Sequence, residues 1–553
     1  MGRSWSIFSS AALASLAFAP SPSLAQTSLH SLPQSALISP VEPVQQNDYP
    51  LLGAKSPTAA AAPTVPAFLL NGAVDLAQGY ETHPGASLGV STTTPDTFTR
   101  GELDLGMHYG GHRLTADAHY SGTGYYYGRL HDLNSLAHRL NFVANSELVP
   151  DHFFLNASAF AAPTTLSRVG NLSAAGNLVS NNNTQSYGYL ATPTARFKIG
   201  DYAVSQTSVT ESGVFFSQPS TLGTSDSSVP IIPAENTNSF TASERILSSP
   251  RFGRLRWGLT GFYSNITQTT QSQQHLQGNL DAAYAINRVL ALLTTVGYGQ
   301  FTSSTPLTRD LSGPTALAGF RYSTGPTFSL VAEVGTSSGF PTYLGSLNWH
   351  PTPTFTITGA LTDTISTPQT GILANLTTLA ASAEGVFSDA QSAYRQPIAQ
   401  TLYPDLATIS PVPALGLALD NSVYHNRTAQ LSFVHQDERN QYGLSLFGST
   451  RDQLSAISDG TSGTSSLLGA TIHGSRKLRR DLTGFADASY SLANEFGGSD
   501  RIFTGDVGLN YMLAQNLSCY VTARYLKRQS SGQTIGTGSL SDLATIVGVR
   551  RSF

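Results

Sequence analysis

Apolar and polar residues alternate one by one along most of this chain, in segments of the length, about ten residues, that a strand crossing a bilayer needs. Leu103, Leu105, Met107 and Tyr109 alternate with Glu102, Asp104, Gly106 and His108. After Gly110-Gly111-His112-Arg113, Leu114, Ala116, Ala118 and Tyr120 alternate with Thr115, Asp117 and His119. Period 2 puts charge on one face of this hairpin only. The pattern returns in Leu280, Ala282, Tyr284 and Ile286, turning at Asn287-Arg288 into Leu290, Leu292, Thr294, Val296 and Tyr298. It returns again in Val507, Leu509, Tyr511 and Leu513, turning at Ala514-Gln515-Asn516 into Leu517, Cys519, Val521, Ala523 and Tyr525. Short turns alternate with longer connections such as Ala161 to Asn183, Gln218 to Asn236, Tyr403 to Tyr424 and Gln529 to Ser541. The pattern predicts an all-β fold, a large antiparallel transmembrane barrel with short periplasmic turns and long extracellular loops.

The last such segment runs from Leu543 to Phe553. Leu543, Thr545, Val547, Val549, Arg551 and Phe553 share one face, and Ala544, Ile546, Gly548, Arg550 and Ser552 the other. It resembles the C-terminal assembly signal of bacterial outer-membrane proteins, carried here by Phe553, Val549 and Val547, with Arg551 standing where that signal has an apolar residue. An arginine close to the lipid interface costs only about 0 to 1 kcal/mol, because its side chain reaches the headgroups.

At the other end, residues 1–25 combine Arg3, an apolar run through Phe18 and a final Ser23-Leu24-Ala25. That is the form of a secretory signal peptide cleaved before Gln26. Residues 26–66 are rich in Pro, Ala, Ser and Gln without periodicity, the composition of a flexible periplasmic tail, and too short for a folded plug. The barrel is expected over residues 67–553. Counting back from Phe553 with both ends in the periplasm gives about 24 strands, within a range of about 22–26. The first lies near Phe68 to Gln78, and the weakest around Tyr394 to Leu402.

Composition agrees with a membrane barrel. Only 12% of the 553 residues are charged, about half the usual share of a soluble protein. After the signal peptide no apolar run is long enough for a transmembrane helix. A net charge of -4 gives no reason to expect a nucleic-acid partner. Cys519 stands alone and cannot form an internal disulfide. The polar face of the strands assigns Glu102, Asp104, Asp117, Asp281, Asp487, Asp506, Arg524 and Arg550 to a lumen wall of mixed sign. Arg476, Lys477, Arg479 and Arg480 fall in a periplasmic turn, as a solvated turn or a contact for an anionic polymer or partner. Tyr125, Tyr126 and Tyr127 are expected in an outer aromatic belt, with sugar stacking in the mouth as the alternative.

Chemistry beyond this is sparse. Gly335-Thr336-Ser337-Ser338-Gly339 has the spacing of a hydrolase nucleophile elbow, but Phe340-Pro341 and another alternating segment follow where a helix is required, so an external loop is expected. No metal-ligand spacing occurs, and no cofactor or enzymatic activity is expected.

Two stretches resemble a known family. Gly319-Phe320-Arg321-Tyr322 with Leu347-Asn348-Trp349-His350-Pro351-Thr352-Pro353-Thr354 is one, and Asn426-Arg427-Thr428-Ala429-Gln430-Leu431-Ser432-Phe433 through Arg451 is the other. Both resemble segments of the β-barrel porins associated with exopolysaccharide and PEP-CTERM/exosortase gene clusters. The resemblance implies an outer-membrane channel or accessory in exopolysaccharide export or biogenesis. Its implied partners are lipid and lipopolysaccharide, the barrel assembly machinery, and polysaccharide or export-complex proteins. A porin for small solutes and a structural or adhesive surface barrel remain as alternatives.

Overall fold

The computed structural model describes residues 68–84, 94–165, 173–175, 183–217, 236–269, 271–305, 307, 311–366, 423–454, 463–495, 498–531 and 538–553. The expected signal peptide and tail, residues 1–66, lie outside the described residues.

Among the described residues, twenty-two strands form one antiparallel sheet that closes on itself. In chain order they are β1 (Phe68–Glu81), β2 (Asp96–Gly110), β3 (Leu114–Tyr127), β4 (Ser135–Val149), β5 (Phe153–Thr165) and β6 (Asn183–Ile199). Next come β7 (Ala203–Phe216), β8 (Thr237–Ser248), β9 (Leu255–Gln268), β10 (Ser272–Ala285), β11 (Leu290–Ser303) and β12 (Gly313–Gly325). Then follow β13 (Phe328–Ser337), β14 (Phe340–Thr352), β15 (Phe355–Ser366), β16 (Tyr424–Gln436) and β17 (Asn440–Gln453). The last are β18 (Thr464–Lys477), β19 (Leu482–Glu495), β20 (Gly498–Ala514), β21 (Leu517–Ser531) and β22 (Gly538–Ser552). Each pairs with its neighbours in sequence, and β1 pairs with β22 from Ala73 opposite Ser552 to Glu81 opposite Ala544. Pairing of β22 with β1 removes the two outer edges that an open sheet would have, as a membrane favours because lipid cannot bond exposed backbone groups.

Twenty-two strands at 4.8 Å spacing and about 40° tilt give a backbone diameter of roughly 44 Å. The count stands at the low end of the range expected from sequence. The strand expected at Tyr394 to Leu402 lies outside the described residues, and β15 and β16 on either side pair directly, Phe355 with His435 through Ser366 with Tyr424.

Turns at the end that holds Phe68 and Phe553 are short, as at Gly111–Arg113 and Pro353–Thr354. The opposite end carries the long connections, 166–182, 217–236 and 367–423. These two will be called the turn end and the loop end. The loop end is not uniformly long: β9 joins β10 through Thr269–Gln271, and β13 joins β14 through Ser338–Gly339. The connection expected from Gln529 to Ser541 is also shorter, because β21 extends to Ser531 and β22 begins at Gly538.

Alternation sorts the two faces of the wall. Leu76, Val334, Ile472, Val507 and Val547 point outward and are exposed. Aromatic residues flank them, Tyr80, Tyr126, Tyr187 and Tyr298 toward the loop end and Phe153, Phe197, Tyr322 and Tyr511 toward the turn end. Side chains of this size gain about 1.5 to 3 kcal/mol each on leaving water, so a continuous outer band of them favours an apolar surround. The inward face carries most of the buried ionised side chains, Asp75, Arg100, Arg528 and Arg550 among them.

Candidate functional site

The lumen wall divides into two sectors. From β20 through β22 and β1 to β4, inward positions carry charge in cross-strand ladders. Arg100 Nη2 donates to Asp75 Oδ1 at 3.0 Å and to the Tyr520 hydroxyl at 2.7 Å. Tyr520 in turn donates to Asp75 Oδ1 at 2.8 Å. Arg550 pairs with Asp104 at 2.9 Å, Arg524 with Asp506 at 3.0 Å and Arg528 with Asp500 at 3.0 Å. These arginines and acids are buried against one another rather than projecting freely. An ion pair is stable in such a place only when both partners are held in geometry and their remaining polar atoms are bonded. The neighbouring strand supplies the geometry: Asp506 lies directly opposite Arg524 across β20 and β21.

All eight residues assigned to the lumen from sequence occupy inward positions. Glu102 approaches Arg100 at 3.7 Å. Asp117 bonds His108 Nδ1 at 2.6 Å, and Asp487 bonds His473 Nδ1. Asp104, Asp506, Arg524 and Arg550 belong to the pairs above. Asp281 stands apart on β10, accepting from Thr295 Oγ1 at 2.8 Å and Thr260 Oγ1 at 3.4 Å. Sequence reasoning missed Asp75, Arg100, Asp500, Arg528 and Tyr520. The alternation of β1, β2, β20 and β21 could have given their facing, but not their partners, because Asp75 and Tyr520 are 445 residues apart.

The second sector spans β6 to β10. Toward the loop end its inward positions include buried uncharged donors and acceptors, among them Thr210, Ser212, Ser239, Thr241, Ser264, Gln273 and Gln277, beside the buried apolar Val214 and Ile266. Thr241 Oγ1 donates to Ser264 Oγ at 3.1 Å, and the Thr192 and Thr210 hydroxyls lie 3.0 Å apart.

A segment of the β5–β6 connection lies against the charged sector. Ser173 Oγ donates to Glu81 Oε1 at 2.6 Å, Ala174 N to Asp542 Oδ2 at 2.8 Å and Ala175 N to Glu81 Oε1 at 3.3 Å. The Ala175 carbonyl accepts from Tyr125 at 3.1 Å and from Arg524 Nη1 at 3.4 Å. Tyr127 donates to the other Glu81 oxygen at 2.6 Å. The segment is thus fastened by side chains of β1, β3, β21 and β22, none of them a strand that it connects.

Tyr125 and Tyr127 are buried on the inward face, and only Tyr126 joins the outer aromatic belt, because adjacent residues on a strand face opposite sides. The Gly335–Gly339 motif is not an external loop. It is the end of β13 and a two-residue hairpin in which Ser338 and Gly339 take φ of 50° and 79°. A side chain at Gly335 would meet the Ala316 carbonyl oxygen of β12 at 1.9 Å, so glycine is required there by the neighbouring backbone. Ser337 is buried with its hydroxyl 3.0 Å from that of Thr315. Arg476 and Lys477 end β18, and Arg479 and Arg480 lie in the following turn at the turn end, where Arg479 pairs with Asp481 at 3.2 Å and is well exposed. Among the described residues no cluster of three or more His, Cys, Asp or Glu side chains could hold a metal.

No family model matches the sequence. No curated protein matches it. Among solved structures, the chain is similar to the ferric enterobactin receptor PfeA of Pseudomonas aeruginosa, with 9% identity, 88% of this chain and 80% of that chain covered, and a TM-score of 0.41. It is also similar to FpvA of P. aeruginosa bound to heterologous pyoverdines, at 11% identity, 88% and 72% coverage and a TM-score of 0.46. The FrpB iron transporter of Neisseria meningitidis follows at 10% identity, 87% and 82% coverage and 0.38.

Proposed function

We propose that the protein is an outer-membrane channel that carries uncharged, hydroxyl-rich chains across the envelope as part of exopolysaccharide export. The carrying observation is the contrast between the two lumen sectors. Hydroxyl and amide side chains both donate and accept, so the β6–β10 wall can exchange hydrogen bonds with a sugar chain as water does. The charged sector neutralises most of its charges in pairs, which leaves few strong fixed sites at which a passing chain would stall. The apolar outer band and the two aromatic girdles support placement in an outer membrane. A non-catalytic role is favoured by the buried, hydroxyl-paired Ser337.

The fastened Ser173–Ala175 segment favours a second reading, a porin for small solutes, since a narrowed mouth passes small molecules more readily than a polymer. Gene deletion separates the two. Export predicts reduced surface polysaccharide with unaltered uptake of small sugars. The opposite pair of outcomes favours the porin.

A further inference from the structure

Toward the loop end the wall is not zipped everywhere: Leu136–Arg139 of β4 and Ala162–Thr165 of β5 have no ladder partners on each other, and β14 parts from β15 in the same way. β14 pairs with β15 at Gly345–Trp349 against Ile357–Leu361, and again at Thr352 with Phe355. Toward the loop end, Pro341–Leu344 pair with β13 and have no ladder partner on β15. Thr362–Ser366 pair with β16 and have none on β14.

The burial pattern says how the two strands part. Alternation puts Asp363 and Ile365 on the same face as outward-pointing Leu361, and pairing of Ile365 with His425 extends that face onto β16. Leu361 is 39% exposed, as a lipid-facing residue should be, yet Asp363, Ile365 and His425 are exposed by only 1%, 3% and 1%. What covers them is the inward face of the adjoining wall. The Phe340 ring lies 4.3 Å from the His425 ring, centroid to centroid. Ile365, Val423 and Leu454 pack in one cluster with Phe301, Leu311 and Phe340. The loop-end portions of β15 and β16 therefore lie inside β14, overlapping it as lapped boards do. His425 Nε2 and Asp363 Oδ1 are 2.5 Å apart within the overlap, with Arg427 Nε 3.6 Å from the same carboxylate.

A wall joined by a hydrogen-bonded ladder admits nothing between its strands, because each broken bond would leave polar groups in hydrocarbon. A lapped joint held by side-chain packing differs. An alkyl chain can replace apolar contacts such as Phe340 on Ile365 with equivalent ones. Thr342 and Ser346 on the lumen side could meet a polar head.

We infer that the β14–β15 seam is a lateral passage between the lumen mouth and the surrounding leaflet, taking an amphiphile with an alkyl chain and an uncharged, hydroxyl-rich head. This rests on the reading of the barrel as a membrane channel. The chain enters the lap while the head stays on the lumen side, so such a molecule moves between lumen and membrane without crossing an intact wall.

The test uses the full-length protein in liposomes containing dodecyl maltoside with a photoactivatable diazirine in its alkyl chain. The passage predicts labelling of inward Thr342 and Leu344 as well as outward Val334. In a Cys519→Ala background, Phe340→Cys with His425→Cys joined by a short bis-maleimide should abolish labelling at Thr342 and Leu344 and leave Val334 labelled. Wild-type labelling confined to outward residues, or unchanged labelling after linkage, would overturn the inference. The wild-type arm stands even if the double variant fails to assemble. Conductance in planar bilayers, measured in parallel, reports on the channel reading alone: its absence would overturn that reading, while the labelling pattern decides the seam.

Discussion

Phe553 closes the barrel on Gly72. The two residues exchange backbone hydrogen bonds, Gly72 N to the Phe553 carbonyl at 3.0 Å and Phe553 N to the Gly72 carbonyl at 2.9 Å. The ring of Phe553 covers the place where Gly72 has no side chain, since a Cβ there would stand 2.6 Å from its Cζ. Phe553 thus extends the ladder with β1. Deleting Phe553 should reduce the amount of heat-modifiable barrel recovered in the outer-membrane fraction. Gly72→Val, which displaces the ring, should assemble but lose about 1 to 3 kcal/mol in urea unfolding. Normal assembly without Phe553 would contradict this role.

The Arg528–Asp500 pair lies on the lumen wall with both side chains buried, and Ser530 Oγ adds a bond to Asp500 at 2.6 Å. Removing one partner leaves an uncompensated buried charge, at a cost of about 3 to 5 kcal/mol. Asp500→Asn should therefore lower the urea midpoint, and Asp500→Asn with Arg528→Met should recover much of the loss. A double variant no better than the single would argue against a pairing role.

Ser337→Ala removes one hydroxyl from the buried pair with Thr315, for a loss of about 1 kcal/mol. Channel conductance should be unchanged. Selective loss of an esterase or lipase activity from a normally assembled variant would show the Gly335–Gly339 motif to be catalytic.

Asp437, in the turn between β16 and β17, accepts from the Asn440 side chain and from the backbone N–H of Arg439 and Asn440. These bonds hold its carboxyl well below the usual carboxylate range, the Asn440 side chain contributing most. Because the folded value is depressed, its contribution is fully present above the unfolded carboxyl value of about 3.9 and is lost as pH falls through the folded value. Amide exchange at Arg439 and Asn440 should show this turn intact at pH 5 and loosened only in stronger acid. Asp437→Asn should make the turn insensitive to pH.

Much of the barrel is legible in the sequence because period 2 is a local property. The hairpin at Gly110–Arg113 and the facing of Glu102, Asp104 and Arg550 follow from residues a few positions apart. Ion partners do not, since Arg550 meets Asp104 only through closure of β22 on β1 and of β1 on β2. The overlap at β14–β15 was equally hidden. Thr362–Ser366 keep the same alternation whether they lie in the wall or inside it, and only their neighbours reveal which. Tyr125–Tyr127 were misjudged by treating three consecutive residues as one belt, although alternation itself sends the middle one outward.

In the proposed channel, Ser173–Ala175 are fastened to Glu81, Asp542, Tyr125 and Arg524 on the inner wall. The most direct test of this channel is single-channel conductance in planar bilayers of the wild type beside a variant lacking residues 166–182. A larger conductance in the deletion, with normal assembly, is predicted, and Glu81→Gln with Asp542→Asn should raise it in the same direction. Equal conductance in a normally assembled deletion, or none in either protein, would contradict the account.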